Sequence, residues 1–297
     1  MEFNDDAELD ASQVSDHRGM GGRLALGGGG LGIIGVIIYL VMQFTGGGGG
    51  SSAGLGGFGD VGPNEQVGSS SLAERCRTGA DANRDADCRA VAFINSIQSY
   101  WSTHLDGYRP AETNFFSGGV QTGCGNATSA TGPFYCPADG QVYIDLTFFQ
   151  ELRQKFGAQG GPFVEGYVLA HEYGHHIQNL LGTSDQVGQA TGAQSGSVRL
   201  ELQADCYAGA WANHATTTPA ANGKPLITGV TQDDVAAALD AAARIGDDYI
   251  QRELGGGTVD TTQFTHGTSA QRQKWYSTGY QTGDPRQCDT FNTTDLG

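Results

Sequence analysis

A glycine-rich stretch divides this chain unequally and decides where a core can form. Residues 46–71 are rich in glycine and serine, and Gly46 to Gly50 is unbroken glycine. Such composition offers little apolar surface and describes a flexible tether. Glycine makes up 48 of the 297 residues, more than twice the roughly 7% average, and much of the excess lies before residue 70. A core must therefore come from residues 72–297, a length sufficient to bury one.

Two segments precede the tether. Residues 1–23 are polar and mostly acidic, ending in His17, Arg18 and Arg23, and residues 24–45 carry no charge. A helix needs about 20 residues to cross the hydrocarbon core of a bilayer, and residues 24–45 meet that length. Their glycines are tolerable there, because lipid offers the backbone no competing hydrogen bonds. A cleaved signal peptide would want a short basic start and a small-residue cleavage site. This start is long and acidic, and the apolar run ends in Gln43-Phe44-Thr45. The expectation is one transmembrane helix. Arg18 and Arg23 lie before it, and the next basic residue is Arg75. The bias of Lys and Arg then predicts residues 1–23 as a cytoplasmic tail and residues 72–297 as an extracytoplasmic domain of a single-pass cell-membrane protein.

Six cysteines agree with an oxidising compartment. No CxxC pair occurs, so neither a zinc knuckle nor a thioredoxin-type site is signalled. Cys76 and Cys88 have the same short spacing as Cys124 and Cys136, which suggests those two bridges and leaves Cys206 with Cys288. The net charge of −16 argues against nucleic acid, whose phosphates require a basic face.

Within residues 72–297 the pattern is mainly helical. Apolar residues recur at helical spacing in 87–105 and 163–181, and further helices are expected at 148–156, 198–214 and 269–280. Thr231 followed by Gln232-Asp233-Asp234 reads as a helix start, with threonine capping and acids in the first turn, leading into 235–254. Residues 141–146 read as a short strand; Val142-Tyr-Ile-Asp145 could pair with an extended peptide if it formed a sheet edge, or equally be an ordinary core strand.

The segment richest in chemistry is Tyr167-Val-Leu-Ala-His171-Glu172-Tyr-Gly-His175-His176-Ile-Gln. His171 and His175 are four residues apart, so on a helix both imidazoles leave the same face, one turn apart. That spacing lets both nitrogens reach one tetrahedral metal at about 2.0–2.1 Å. Glu172 adjoins the first ligand, where its carboxylate can take a proton from water attacking a carbonyl and pass it to the leaving amine. The apolar residues of the same helix argue for a packed environment, in which two histidines and a glutamate need partners. Downstream, Glu201 is a candidate third ligand. Asp205, four residues later on the same helix face, is placed to accept a hydrogen bond from a ligand histidine. The metzincin continuation is excluded, since its glycine and histidine positions hold Gln178 and Leu181. His176 points roughly 100° from His175, and His104 and His214 stand at helix ends as solvated or capping groups. His266, just before a helix near Ser269, could steady an oxyanion, although nothing in its sequence position ties it to the metal.

His171-Glu172-x-x-His175 with Glu201-x-x-Ala-Asp205 resembles the gluzincin branch of the zincin peptidases. More closely, the chain is similar to the bacterial family of putative neutral zinc metallopeptidases through residues 134–145, 167–178, 201–209, 264–272 and 283–285. The resemblance implies an α+β, mainly helical zincin-like domain with a small mixed sheet beside the active-site helix, preceded by a membrane segment. It implies Zn2+ held by His171, His175 and Glu201, with Glu172 as base. The resulting expectation is a membrane-anchored metallopeptidase acting on a peptide or protein substrate. Two alternatives remain open: a non-catalytic zinc-binding scaffold, and a zinc amidase acting on cell-wall fragments. An intact Glu172, which a scaffold would not require, favours the enzyme.

Overall fold

The computed structural model describes residues 1–18, 69–188 and 190–297. The fold is α+β, with helices predominant. The helices are α1 (Ser69–Arg75), α2 (Gly79–Ala82), α3 (Ala86–His104), α4 (Phe148–Gln154), α5 (Pro162–Leu180), α6 (Gly196–His214), α7 (Gln232–Arg244), α8 (Asp247–Tyr249) and α9 (Ser269–Thr282). The strands are β1 (Glu2–Phe3), β2 (Val14–Asp16), β3 (Thr113–Phe115), β4 (Gly119–Thr122), β5 (Gly125–Thr128), β6 (Phe134–Cys136), β7 (Gln141–Ile144) and β8 (Ile227–Gly229).

Helix α5 is the element around which the others assemble. Pro162 opens it, at a position where the missing N–H would have had no partner anyway. Gly182, in the left-handed conformation at φ 70°, follows its end, the usual stop signal. Every residue from Phe163 to Gln178 is buried, because α3, α6, α7 and β6 pack around it. Helix α6 starts at Ser195, whose side chain accepts from the Val198 N–H, and lies between α5 and α9. Two approaches draw these helices together. A Cβ on Gly174 of α5 would stand 3.0 Å from Ala204 Cα of α6. Where α6 meets α9, a Cβ on Gly209 would fall 2.1 Å from the Tyr276 oxygen, and one on Gly279 would fall 1.9 Å from the Cys206 oxygen. Glycine at both positions is what allows the backbones to meet.

The helix expected over 235–254 is broken. Helix α7 stops at Arg244, and a Cβ on Gly246 would lie 2.5 Å from the Ser269 nitrogen. The Ser269 hydroxyl donates to the Ala243 oxygen at 2.7 Å, and its N–H donates to Asp248 at 2.7 Å. The start of α9 thus takes up a carbonyl at the end of α7 and turns the chain there. That is a tertiary contact, to which periodicity is blind.

The largest sheet among the described residues has the order β2-β3-β7-β6, with β2, β3 and β7 parallel and β6 antiparallel to β7. Tyr143 of β7 faces Asn114 on one side and Phe134 on the other. Strand β7 is therefore interior, an ordinary core strand, and offers no edge to an extended peptide. The outer strand on that side is β6, which packs against α5. Its three residues are too few for alternation to reveal. The three disulfides join Cys76 to Cys88, Cys124 to Cys136 and Cys206 to Cys288, as the spacing suggested.

Residues 1–18 belong to the same body as the helices. Strand β2 pairs with β3, and β1 pairs with β8. Phe3, Ala7, Ala11 and Val14 are buried, and the Phe3 ring meets Phe93 edge-on at 5.1 Å. The Asn83 amide exchanges two 3.0 Å hydrogen bonds with the Phe3 backbone, and the Asn95 amide binds the Asp10 backbone at 2.8 and 2.9 Å. Arg18 donates to both oxygens of Asp16 and of Asp87.

This packing corrects the expected membrane arrangement. Among the described residues no helix is long and apolar enough to cross a membrane, and the span expected at 24–45 lies outside the described residues, as does most of the tether. Residues 1–18 share a sheet and a core with the rest of the fold. They cannot be a cytoplasmic tail while residues 72–297 stand on the other side of a bilayer. The sequence misled because few apolar residues carry the docking, amid acidic residues of which all but Asp16 remain on the surface.

Arg18→Ala should therefore destabilise the whole domain. The loss expected is about 1–3 kcal/mol, chiefly the penalty for leaving the buried Asp16 carboxylate short of a partner, read as a lower thermal midpoint. An unchanged midpoint would show that residues 1–18 are not held as described.

Candidate metal centre

Helix α5 presents His171 and His175 one turn apart, and α6 presents Glu201 opposite them. One ligand atom from each of the three lies within 4.8 Å of the others. His171 Nε2 is 3.1 Å from Glu201 Oε2, and His175 Nε2 is 3.5 Å from Oε1. The imidazoles meet at right angles with centroids 4.8 Å apart. Both Nδ1 atoms are occupied from behind, His171 by Asp205 at 2.9 Å and His175 by Gln178 at 2.8 Å. The Nε2 atoms therefore converge with a carboxylate, a donor set that fits a tetrahedral zinc ion with one position left for water or substrate.

Asp205 is fully buried. Besides His171 Nδ1–H, its Oδ1 accepts from the Tyr167 hydroxyl at 2.7 Å and from Arg272 Nη2 at 2.9 Å, while Oδ2 accepts from Arg272 Nε at 2.8 Å. Burial pushes the Asp205 carboxyl upward, but Arg272 and His171 outweigh it and hold the group below its usual range. Arg272, from α9, is itself buried. Sequence reasoning gave it no role, because a buried arginine carries no periodicity and its partner lies on another helix.

The other two acidic groups are driven apart. Glu201 is held well below the carboxylate range: burial alone would raise it, but the charges of His266, His175 and His171 prevail. Glu172 is pushed upward, chiefly by burial, with Glu201 adding to the effect and His171 and His175 opposing it. The backbone N–H of Tyr135, on β6, also favours its charged form.

The structure brings His266 to this cluster, which its sequence position did not settle. Asp247 Oδ2 accepts from three successive backbone N–H groups, of Thr265, His266 and Gly267, at 2.7–2.9 Å. Its Oδ1 stands 3.6 Å from His266 Nδ1. Burial lowers the affinity of His266 for a proton, but Glu201 and Asp247 raise it further, and the net shift is upward. Asp247 went unnoticed in sequence, since its ligands come from a loop eighteen or more residues later. The remaining histidines lie elsewhere. His176 binds the Tyr135 hydroxyl and the Arg109 oxygen; His104 stacks on Tyr100 at 4.0 Å; His214 Nε2 donates to the Gly283 oxygen at 3.1 Å.

A buried pair of imidazoles, a carboxylate from a second helix and a glutamate beside the first imidazole make a metal-binding group of metallopeptidase type. A family model described as putative neutral zinc metallopeptidase matches residues 4–291, and the chain belongs to that family. The match begins within the N-terminal segment, in keeping with its place in the fold. The chain is 54% identical over 225 residues to uncharacterized proteins of Mycobacterium tuberculosis and Mycobacterium bovis, spanning 75% of this chain and 76% of theirs. It is 47% identical over 190 residues to the uncharacterized protein YpfJ of Escherichia coli, spanning 62% of each. No solved structure matches the chain. The family's description names zinc, and His171, His175 and Glu201 are the residues here that suit the ion.

Between Asp205 and Glu201, His171 is raised to about 10 against the opposing effect of burial. Binding a metal through Nε2 requires the neutral ring, so near neutral pH the ion must displace a proton. Affinity should fall as pH falls. Calorimetry in buffers of different ionisation heat should show about one proton released per zinc ion; buffer-independent heats would refute this.

Proposed function

We propose that this protein hydrolyses peptide bonds, with zinc held by His171, His175 and Glu201 and with Glu172 as the general base. The observation that supports it most is the placement of Glu172: buried, next to the first histidine of the metal group, and raised from its ordinary value chiefly by that burial. A zinc ion, when bound, supplies Lewis acidity and lowers the pKa of water at its open position.

The protein's own groups do the rest. Glu172 takes the proton from the attacking water and holds it until the amine departs. The proton then passes to the leaving nitrogen, so the carboxylate returns to its starting state. His266, whose proton affinity Glu201 and Asp247 raise against burial, can donate to the carbonyl oxygen as negative charge develops. Asp205 keeps the His171 hydrogen on Nδ1 and its Nε2 lone pair forward. Strand β6, as the outer strand beside α5, is the element along which an extended peptide would lie by adding a strand.

The test is zinc content and hydrolysis of an unstructured protein such as casein by the full chain. Glu172→Gln should retain about one zinc per chain and lose roughly 10²–10⁴-fold in rate. His266→Gln should lower kcat by about 10²-fold while leaving zinc bound and KM little changed. Zinc bound equally by parent and Glu172→Gln, with no hydrolysis of any peptide by either, would favour the scaffold; activity confined to cell-wall fragments would favour the amidase.

A further inference from the structure

The two histidines of the metal group are supported from behind in different ways. His171 leans on a carboxylate, whereas His175 leans on a neutral amide. Gln178 lies three residues after His175 and is completely buried. Its Oε1 is 2.8 Å from His175 Nδ1, and its Nε2 donates to the Leu200 oxygen at 2.7 Å and to Gln203 Oε1 at 3.1 Å. Gln203, also buried, donates through its own Nε2 to the Cys288 oxygen at 2.8 Å. Cys288 is in turn joined by a disulfide to Cys206 of α6.

The direction of this chain is fixed by elementary chemistry. An amide side chain accepts through oxygen and donates through nitrogen, and a backbone carbonyl can only accept. The Leu200 and Cys288 carbonyls therefore demand the nitrogen ends of Gln178 and Gln203. That leaves the Gln203 oxygen to receive the Gln178 amide, and the Gln178 oxygen to face His175. Facing an acceptor, His175 Nδ1 must carry the hydrogen. The Nε2 lone pair is then directed to the Glu201 side, where a metal ligand is needed.

We propose that Gln178 and Gln203 form an amide relay that sets the tautomer and orientation of His175 from the disulfide-anchored loop at Cys288. They are positioning residues, acting through His175, and the proposal rests on the reading of His175 as a zinc ligand. The relay gives one face of the metal site a neutral support while the other has an ionic one. Its strength should therefore depend on hydrogen-bond direction rather than on charge.

Zinc affinity of the full chain, measured by competition with a chromogenic chelator, tests this, with circular dichroism reporting the fold of each variant. Gln178→Met has similar bulk and no acceptor for Nδ1–H; it should weaken zinc binding about 10–100-fold. Gln178→Glu keeps an acceptor for Nδ1–H, and its other oxygen, protonated where it meets the Leu200 carbonyl, still donates; it should bind zinc within a few-fold of the parent, which a role in packing alone would not predict. Gln203→Met leaves the bond to Leu200 in place and should show a smaller loss than Gln178→Met. The relay is refuted if folded Gln178→Met binds zinc as tightly as the parent, or if Gln178→Glu is as weak as Gln178→Met. Should Gln178→Met fail to fold, parental affinity in folded Gln203→Met together with a weakened Gln178→Glu refutes it as well. A parent that binds no zinc overturns the underlying assignment of His175 and the relay with it, a result distinct from tight binding by every variant.

Discussion

The carboxylate of Asp205 is the constraint on which the rest of the structure depends. A buried negative charge is tolerable only when its lone pairs are filled and an opposite charge stands beside it. Asp205 meets both conditions with Tyr167 and His171 from α5 and Arg272 from α9, while sitting on α6 itself. Satisfying it brings three helices into one relative position. The glycines at the α6–α9 crossing, Gly209 and Gly279, give the backbones the room to reach that position. Because His171 and Glu201 lie on two of those helices, the arrangement that satisfies Asp205 also aligns the metal group. Stability and function share a single network here, and removal of any partner would disturb both.

Around that network the titratable groups are sorted by environment. Glu201 and Glu172 are both buried carboxylates within reach of the same histidines, yet one is lowered and the other raised. Burial is the largest single influence on both, so the difference lies in the partners: three imidazoles together outweigh it at Glu201, whereas at Glu172 two imidazoles do not and Glu201 adds to it. Pairs of like groups pushed in opposite directions are what separate a ligand from an acid–base group. His266 enters the same balance from a loop held by Asp247, so a residue distant in sequence becomes part of the electrostatics of α6.

The N-terminal eighteen residues show how a fold can be completed by a segment that looks unstructured. Asn83 and Asn95 act as templates, each binding a stretch of backbone through a side-chain amide, and Arg18 closes the contact at the end of β2. The paired strands β2 and β3 extend the sheet that ends at β6, beside the metal helix. The edge next to the site is thus part of a sheet to which both ends of the chain's glycine-rich interruption contribute. Single-pass separation of those ends is incompatible with this sheet.

The sequence by itself determined what depends on near neighbours. His171, Glu172 and His175 are legible because the helical repeat places i and i+4 together, and Glu201 and Asp205 obey the same rule on their own helix. The extents of α5, α6 and α9 were legible to within two residues, and the disulfide pairing followed from spacing. What only the tertiary structure decided are the contacts between segments far apart in the chain. Arg272 against Asp205, Gln203 against Cys288, His266 beside Glu201, β2 beside β3 and the break after α7 all join residues whose sequence separation carries no pattern. Periodicity reports which face of an element is buried; it does not report what that face meets, and the chemistry of this site lies in those meetings.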